Sequence, residues 1–173
     1  DETHWDDPEN ELVLSCGVIG GITAYPGTGK TIAVTISPQT GVVIDSNGGG
    51  YFGPYLKFSG FDAIEITGKA SAPTILLIDG LENKIKIFEV ENLPDESHAI
   101  SESLTNHFGA GKPRSISVVS TGPGAKNTLI GCLNFSWFDP KRGRSRLKQA
   151  GRGGLGRSGN RPGKSESGLL RNR

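Results

Sequence analysis

Ser46-Asn47-Gly48-Gly49-Gly50-Tyr51-Phe52-Gly53-Pro54-Tyr55-Leu56-Lys57-Phe58-Ser59-Gly60-Phe61-Asp62 joins bare backbone to a cluster of aromatic residues. The successive glycines Gly48, Gly49 and Gly50 expose peptide groups that a ligand could touch directly. Each glycine costs roughly 0.5–1 kcal/mol inside a regular element, so the triplet suits a binding loop better than a strand. Taken alone it reads rather as a turn or bulge. Tyr51, Phe52, Phe58 and Phe61 read as core and packing residues. A second glycine-rich stretch, Ala150-Gly151-Arg152-Gly153-Gly154-Leu155-Gly156, lies beside a dense set of cations. Two such loops far apart in sequence suggest one anionic ligand held from two sides.

Outward from the triplet the chain reads as short strands. Leu12 to Ile19 is a continuous run rich in apolar and small residues. Thr31 to Ser37 alternates, and Ser37-Pro38-Gln39-Thr40-Gly41 turns it into Val42-Val43-Ile44. Ala63–Thr67 alternates again. Thr74–Asp79 and Lys84–Val90 flank Gly80-Leu81-Glu82-Asn83 as a hairpin. Ser115–Ser120 and Thr128–Phe135 are further strands. One helix is expected, capped by Asp95, with Ile100, Leu104 and Phe108 on one face and Gly109 at its end. The pattern predicts a β-rich α+β fold of small antiparallel sheets or barrels.

With 173 residues, the chain can hold one ordinary domain or two small half-domains. Its net charge of +1 hides a split: residues 1–140 sum to −9 and residues 141–173 to +10. Cys16 and Cys132 are too few for a disulfide framework and belong to no Cys-x-x-Cys pair, which fits a reduced, cytoplasmic setting. The acidic start shows no secretory signal. Apolar runs fall short of the ~20 residues that cross a bilayer, so no membrane partner is expected. From Arg157 onward the sequence is rich in breakers and poor in apolar residues, which predicts a basic tail over 157–173 without regular structure.

The triplet with its Tyr-Phe-Gly-Pro-x-Leu-Lys-Phe-Ser-Gly-Phe-Asp-Ala-Ile continuation resembles the N-terminal domain of tungsten-dependent aldehyde ferredoxin oxidoreductases. So do Ile66-Thr67-Gly68-Lys69-Ala70, Ser120-Thr121-Gly122-Pro123 and Gln149-Ala150-Gly151-Arg152-Gly153-Gly154-Leu155-Gly156, in the family's order. The resemblance implies a cofactor-binding domain over residues 1–156, lacking the family's opening strands. It implies two related small antiparallel sheets or half-barrels with one intervening helix. On that base a tungsten (or molybdenum) bis-pterin cofactor would lie, in an enzyme that oxidises aldehydes with ferredoxin or an electron-transfer subunit as acceptor. Some relatives instead serve as reductase subunits acting on aromatic thioesters.

By position, Asn47 and Gly49 match the family's pterin-binding Asn-x-Gly, and Gly151 a close backbone contact in the second loop. Lys30 and Lys148 stand where the family has Arg, keeping the charge but not the planar fork suited to phosphate. Gln149 replaces a small residue at a backbone contact. No catalytic acid or base is expected here. The family's [4Fe-4S] ligands and substrate-side residues lie in later domains, so this portion alone is expected to be inactive. After Gly156 the family pattern stops abruptly, which suggests a fragment ending in a shifted reading frame or truncated gene model.

Two other readings compete. Ala24-Tyr25-Pro26-Gly27-Thr28-Gly29-Lys30-Thr31 fits a relaxed P-loop, and Ile75–Asp79 imitates the acid-ended strand of nucleotide hydrolases. A P-loop needs a helix N-terminus after it, however, and Thr31–Ser37 is a strand pattern. The basic run Lys141–Lys148 could mark a non-catalytic module with a nucleic-acid-binding tail, but it carries no stacking aromatics.

Overall fold

The computed structural model describes residues 3–129, 133–149 and 166–171. Among these described residues, ten strands fall into two sheets. The four-stranded sheet has the order β3 (Val43–Gly48), β2 (Thr31–Ile36), β1 (Leu12–Ser15), β4 (Ala63–Ile66), with antiparallel pairing throughout. The six-stranded sheet runs β6 (Lys84–Glu89), β5 (Thr74–Asp79), β10 (Glu166–Arg171), β7 (Ile116–Ser120), β8 (Asn134–Asp139), β9 (Arg144–Gln149). It is antiparallel except where β10 lies parallel to β5. The expected β-rich α+β class is what the chain adopts.

Helix α1 (Phe52–Phe58) fills the space between the sheets, and α2 (Ser97–Phe108) covers the far face of the larger one. A single turn, α3 (Gly124–Asn127), precedes β8. Phe52 and Leu56 of α1 join Leu14, Ala33 and Ile64 from one sheet to Ile78, Val119 and Phe135 from the other. Ile100 and Leu104 of α2 pack on Ile75, Leu77, Ile116 and Val118. The central strands β5 and β7 are thus covered on both faces, which explains why Leu76-Leu77-Ile78 and Val118-Val119 are continuous apolar runs.

Several expectations need correction. The quoted stretch holds an unanticipated helix, α1, so more than one helix intervenes between strands. Pro54 is tolerated because it sits in the first turn, where backbone N–H groups have no intrahelical partner. The helix ends in a Schellman pair: Phe61 N–H donates to Leu56 O at 3.1 Å and Gly60 N–H to Lys57 O at 3.0 Å, with Gly60 at φ +90°. Strand β1 stops at Ser15, before the turns of residues 17–29. The strand read at Thr128–Phe135 instead spans Asn134–Asp139. Glu96, rather than Asp95, is the N-cap position of α2. Within the expected irregular tail, residues 166–171 form a strand bonded to β5 and β7.

The hairpins at both edges of the larger sheet share one turn. Asp79 Oδ1 accepts from Leu81 N–H at 3.0 Å, and Asp139 Oδ1 from Lys141 N–H at 3.0 Å. Asn83 at φ 55° and Gly143 at φ 63° close the respective loops. Both carboxylates are buried, whereas Asp45 and Asp62 are exposed.

Candidate functional site

Thr31, the first residue of β2, lies opposite Gly48, the last residue of β3. Lys30 and the glycine triplet therefore leave the smaller sheet from the same end. From Gly48 the chain crosses to the larger sheet. A Cβ on Gly48 would lie 2.5 Å from ring carbons of Phe135, and one on Gly49 would lie 3.2 Å from Lys148 Cδ and 3.6 Å from its Nζ. At Gly50, φ is +124°, and a Cβ would come within 3.2 Å of Ser136 O. The Tyr51 hydroxyl then donates to Phe138 O at 3.2 Å. Gly29 joins the seam, since a Cβ there would lie 3.3 Å from Gly50 O.

The structure thus brings Gly49 against Lys148, 99 positions apart in the numbering. Lys148 is exposed, with Nζ 5.2 Å from the Trp137 ring centroid. Asn47 sits opposite Ile32 on the exposed face of β3, and its amide donates to Asp45 Oδ2 at 3.5 Å. The Lys30 side chain is exposed, while its carbonyl accepts from the Cys16 thiol at 3.3 Å. Gln149 ends β9 opposite Asn134. Gly151 lies outside the described residues, as does the rest of the second glycine loop.

Electrostatics favour an anion on this edge. In β9, Lys148, Arg146 and Arg144 pair with Phe135, Trp137 and Asp139, so all three cations share one face. Asp139 is the buried counter-charge. The Arg142 side-chain hydrogen bond, Nη1 to Oδ2 at 2.8 Å, holds its carboxyl below the ordinary carboxylate range, with the Lys141 and Arg142 amides assisting. Arg146 Nη1 stands farther off, at 3.8 Å from the same oxygen. Burial pushes the Cys16 thiol up, against the lowering pull of the Lys57 charge. Burial likewise pushes Tyr55 up to about 12, and its hydroxyl donates to Arg114 O.

A Cβ on Gly49 would press on the Lys148 side chain, so the bare residue is what lets that cation lie against the triplet. Beside this contact stand the ammonium of Lys148 and the loop that carries Lys30 and Gly29. Such a set of donors with little acceptor capacity fits a phosphorylated ligand. It does not fit a protein-held metal ion: among the described residues, no group of three or more His, Cys, Asp or Glu could hold one.

The nucleotide reading loses its main support. Thr31 opens a strand, so Lys30 is followed by no helix N-terminus. Asp79, the imitation of a hydrolase acid, is spent on the hairpin turn, accepting from Leu81 and Glu82 amides. Phe52 is buried and Phe61 packs against the core as expected, but Phe58 is 43% exposed and lies over Gly21. Sequence reasoning missed that Phe135 meets Gly48 and that Trp137 lies beside Lys148. The signal was present in Asp139-Pro140-Lys141-Arg142-Gly143, a turn flanked by alternating residues. Among the described residues, no helix is long and apolar enough to cross a membrane.

Comparison with known proteins bears on family and fold. Residues 1–158 match the family model described as aldehyde ferredoxin oxidoreductase, N-terminal domain. The tungsten-containing aldehyde ferredoxin oxidoreductase of Pyrococcus furiosus is 34% identical over 123 residues, 70% of this chain and 19% of the relative. The enzyme of the same name from Pyrococcus abyssi is 33% identical over 150 residues, 86% of this chain and 22% of the relative. The active site complex BamBC of benzoyl coenzyme A reductase, solved with 1,5-dienoyl-CoA, superposes with a TM-score of 0.79 at 25% identity. That match covers 99% of this chain and 24% of the other. The chain spans about a fifth of the length of the curated relatives it matches.

Proposed function

The chain belongs to the aldehyde ferredoxin oxidoreductase family, and from that premise we propose that it is the cofactor-binding portion of a tungsten (or molybdenum) bis-pterin oxidoreductase. The reaction in this reading is oxidation of an aldehyde to an acid, with ferredoxin as electron acceptor. The observation that carries it is the meeting of Gly49 with Lys148, a bare peptide and a cation from opposite sheets. When bound, the metal–pterin group supplies the two-electron redox chemistry, and the protein supplies position and charge.

The residues divide that work. Gly49 lets the ligand approach the main chain, and Lys148 and Lys30 offset phosphate charge. Asn47 offers an amide to a pterin edge, and Gln149 and Gly151 take the backbone contacts that the family resemblance assigns them. Trp137 holds Lys148 in place by stacking under its ammonium. The [4Fe-4S] cluster, the ferredoxin contact and the substrate-side residues belong, in this reading, to segments other than this one, so the chain alone is inactive. Its setting is the cytoplasm, and it acts without a membrane or nucleic-acid partner.

The test is elemental analysis for tungsten, with pterin fluorescence, on the folded product of the complete encoding gene. Both are expected together. A folded product carrying neither overturns the proposal.

A further inference from the structure

We infer that the anion-binding surface beside the glycine triplet extends along β9 to Arg146, whose guanidinium supplies the forked donor set that Lys148 lacks, toward a phosphate group of the ligand. This rests on the reading of the triplet and Lys148 as a phosphate-binding seam. Strand register makes the first argument. Lys148 and Arg146 are two residues apart on one strand and project to the same face, which places their Cα atoms about 6.6–6.8 Å apart. Two long side chains at that spacing can converge on a single phosphate or pyrophosphate.

Trp137 makes the second. It is the cross-strand partner of Arg146, and Lys148 already lies over its ring. One indole therefore stands next to both cations. Availability is the third. Asp139 is engaged by Arg142 at 2.8 Å, whereas Arg146 reaches the same oxygen only at 3.8 Å, and its side chain is 44% exposed. Most of its five N–H donors remain for a ligand. Chemistry is the fourth. A lysine at 148 offers a compact point charge, and a guanidinium offers two parallel bonds to one phosphate. Arg146 thus restores, two residues away, the geometry that Lys148 gives up. The competing explanation is that cations on an edge strand only discourage edge-to-edge pairing, which predicts no specific effect on a bound anion.

Titration of the whole 173-residue chain with pyrophosphate decides between them, read by Trp137 fluorescence in a Trp5→Phe background. We expect saturable binding, weakened about tenfold or more by Arg146→Gln, as loss of a charge-assisted contact predicts. Arg146→Lys should recover less than half of that loss, and Arg144→Gln, at the far end of the row, should stay within about twofold of the parent. Equal binding by Arg146→Gln and the parent, with loss in Lys148→Gln, overturns the role of Arg146 and leaves the phosphate-binding seam standing. An equal loss in Arg144→Gln and Arg146→Gln overturns it too, since that is a diffuse field. No saturable response in the parent overturns both readings. If Arg146→Gln does not fold, Arg146→Lys against the parent decides, and equal affinity overturns the role.

Discussion

Gly48, Gly49 and Gly50 lack side chains for different reasons. Gly48 presses its backbone on Phe135, Gly49 leaves room beside Lys148, and Gly50 adopts φ +124° next to Ser136 O. Gly48→Ala should therefore cost about 1–3 kcal/mol through overpacking. Gly50→Ala should cost a similar ~1–3 kcal/mol through backbone strain. Gly49→Ala meets only a flexible side chain and should stay within about 0.5 kcal/mol of the parent, while displacing Lys148 from Trp137. Urea unfolding of the three variants checks the order. Of the three, Gly49 alone keeps its bare side next to a cation, Lys148. The packing roles were illegible because their partners lie some ninety positions downstream in the numbering. Asp139 provides a pH-dependent check. Its carboxyl is held low chiefly by Arg142, so folding gains from its ionisation. That gain is complete above the unfolded value of about 3.9 and disappears as pH falls through the lower folded one. Asp139→Asn should lower the thermal midpoint at pH 7, and the difference from the parent should shrink on acidification below the ordinary carboxylate range.

Among elements, α2 was legible because it has twelve residues and a repeating apolar face. Helix α1 was not, since seven residues containing Gly53 and Pro54 look like breakers. What makes α1 is tertiary: Phe52 and Leu56 are buried between the sheets, and Gly53 lets the helix backbone come close to β2. A Cβ on Gly53 would lie 2.8 Å from Lys30 O, 2.9 Å from Cys16 Sγ and 3.0 Å from Thr31 Oγ1. Gly53→Ala should lift α1 and cost about 1–3 kcal/mol, although alanine has the higher helix propensity. Near-ultraviolet circular dichroism should register the change around Tyr51 and Tyr55, the residues whose hydroxyls tie α1 to Phe138 and Arg114. Hairpins were half legible. Gly80-Leu81-Glu82-Asn83 is flanked by plain apolar alternation, but its counterpart after Asp139 is not, because in β9 the cations Arg144, Arg146 and Lys148 take the alternate positions where apolar residues would mark a strand.

At the level of the whole molecule, alternation and turn chemistry gave the β-rich class, whereas the pairing of distant strands could not be read locally. Strand β10 is the clearest case. Polar, breaker-rich surroundings argued for an irregular tail, yet residues 166–171 bond to β5 on one side and β7 on the other. A chain ending at residue 165 should lose hydrogen-exchange protection across Thr74–Asp79 and Ile116–Ser120 and lose its cooperative unfolding. Unchanged protection in both strands would show that the larger sheet stands without its central member. Phe135 carries a different lesson. Fully buried, its ring meets α1 through Phe52 at 5.8 Å and receives the edge of the smaller sheet at Gly48. It packs between the two layers, so trimming that buried ring should change the spacing of residue 49 from residue 148 and, in the proposed site, retune grip strength from inside the core; affinity at the rim becomes a gauge of interior fit.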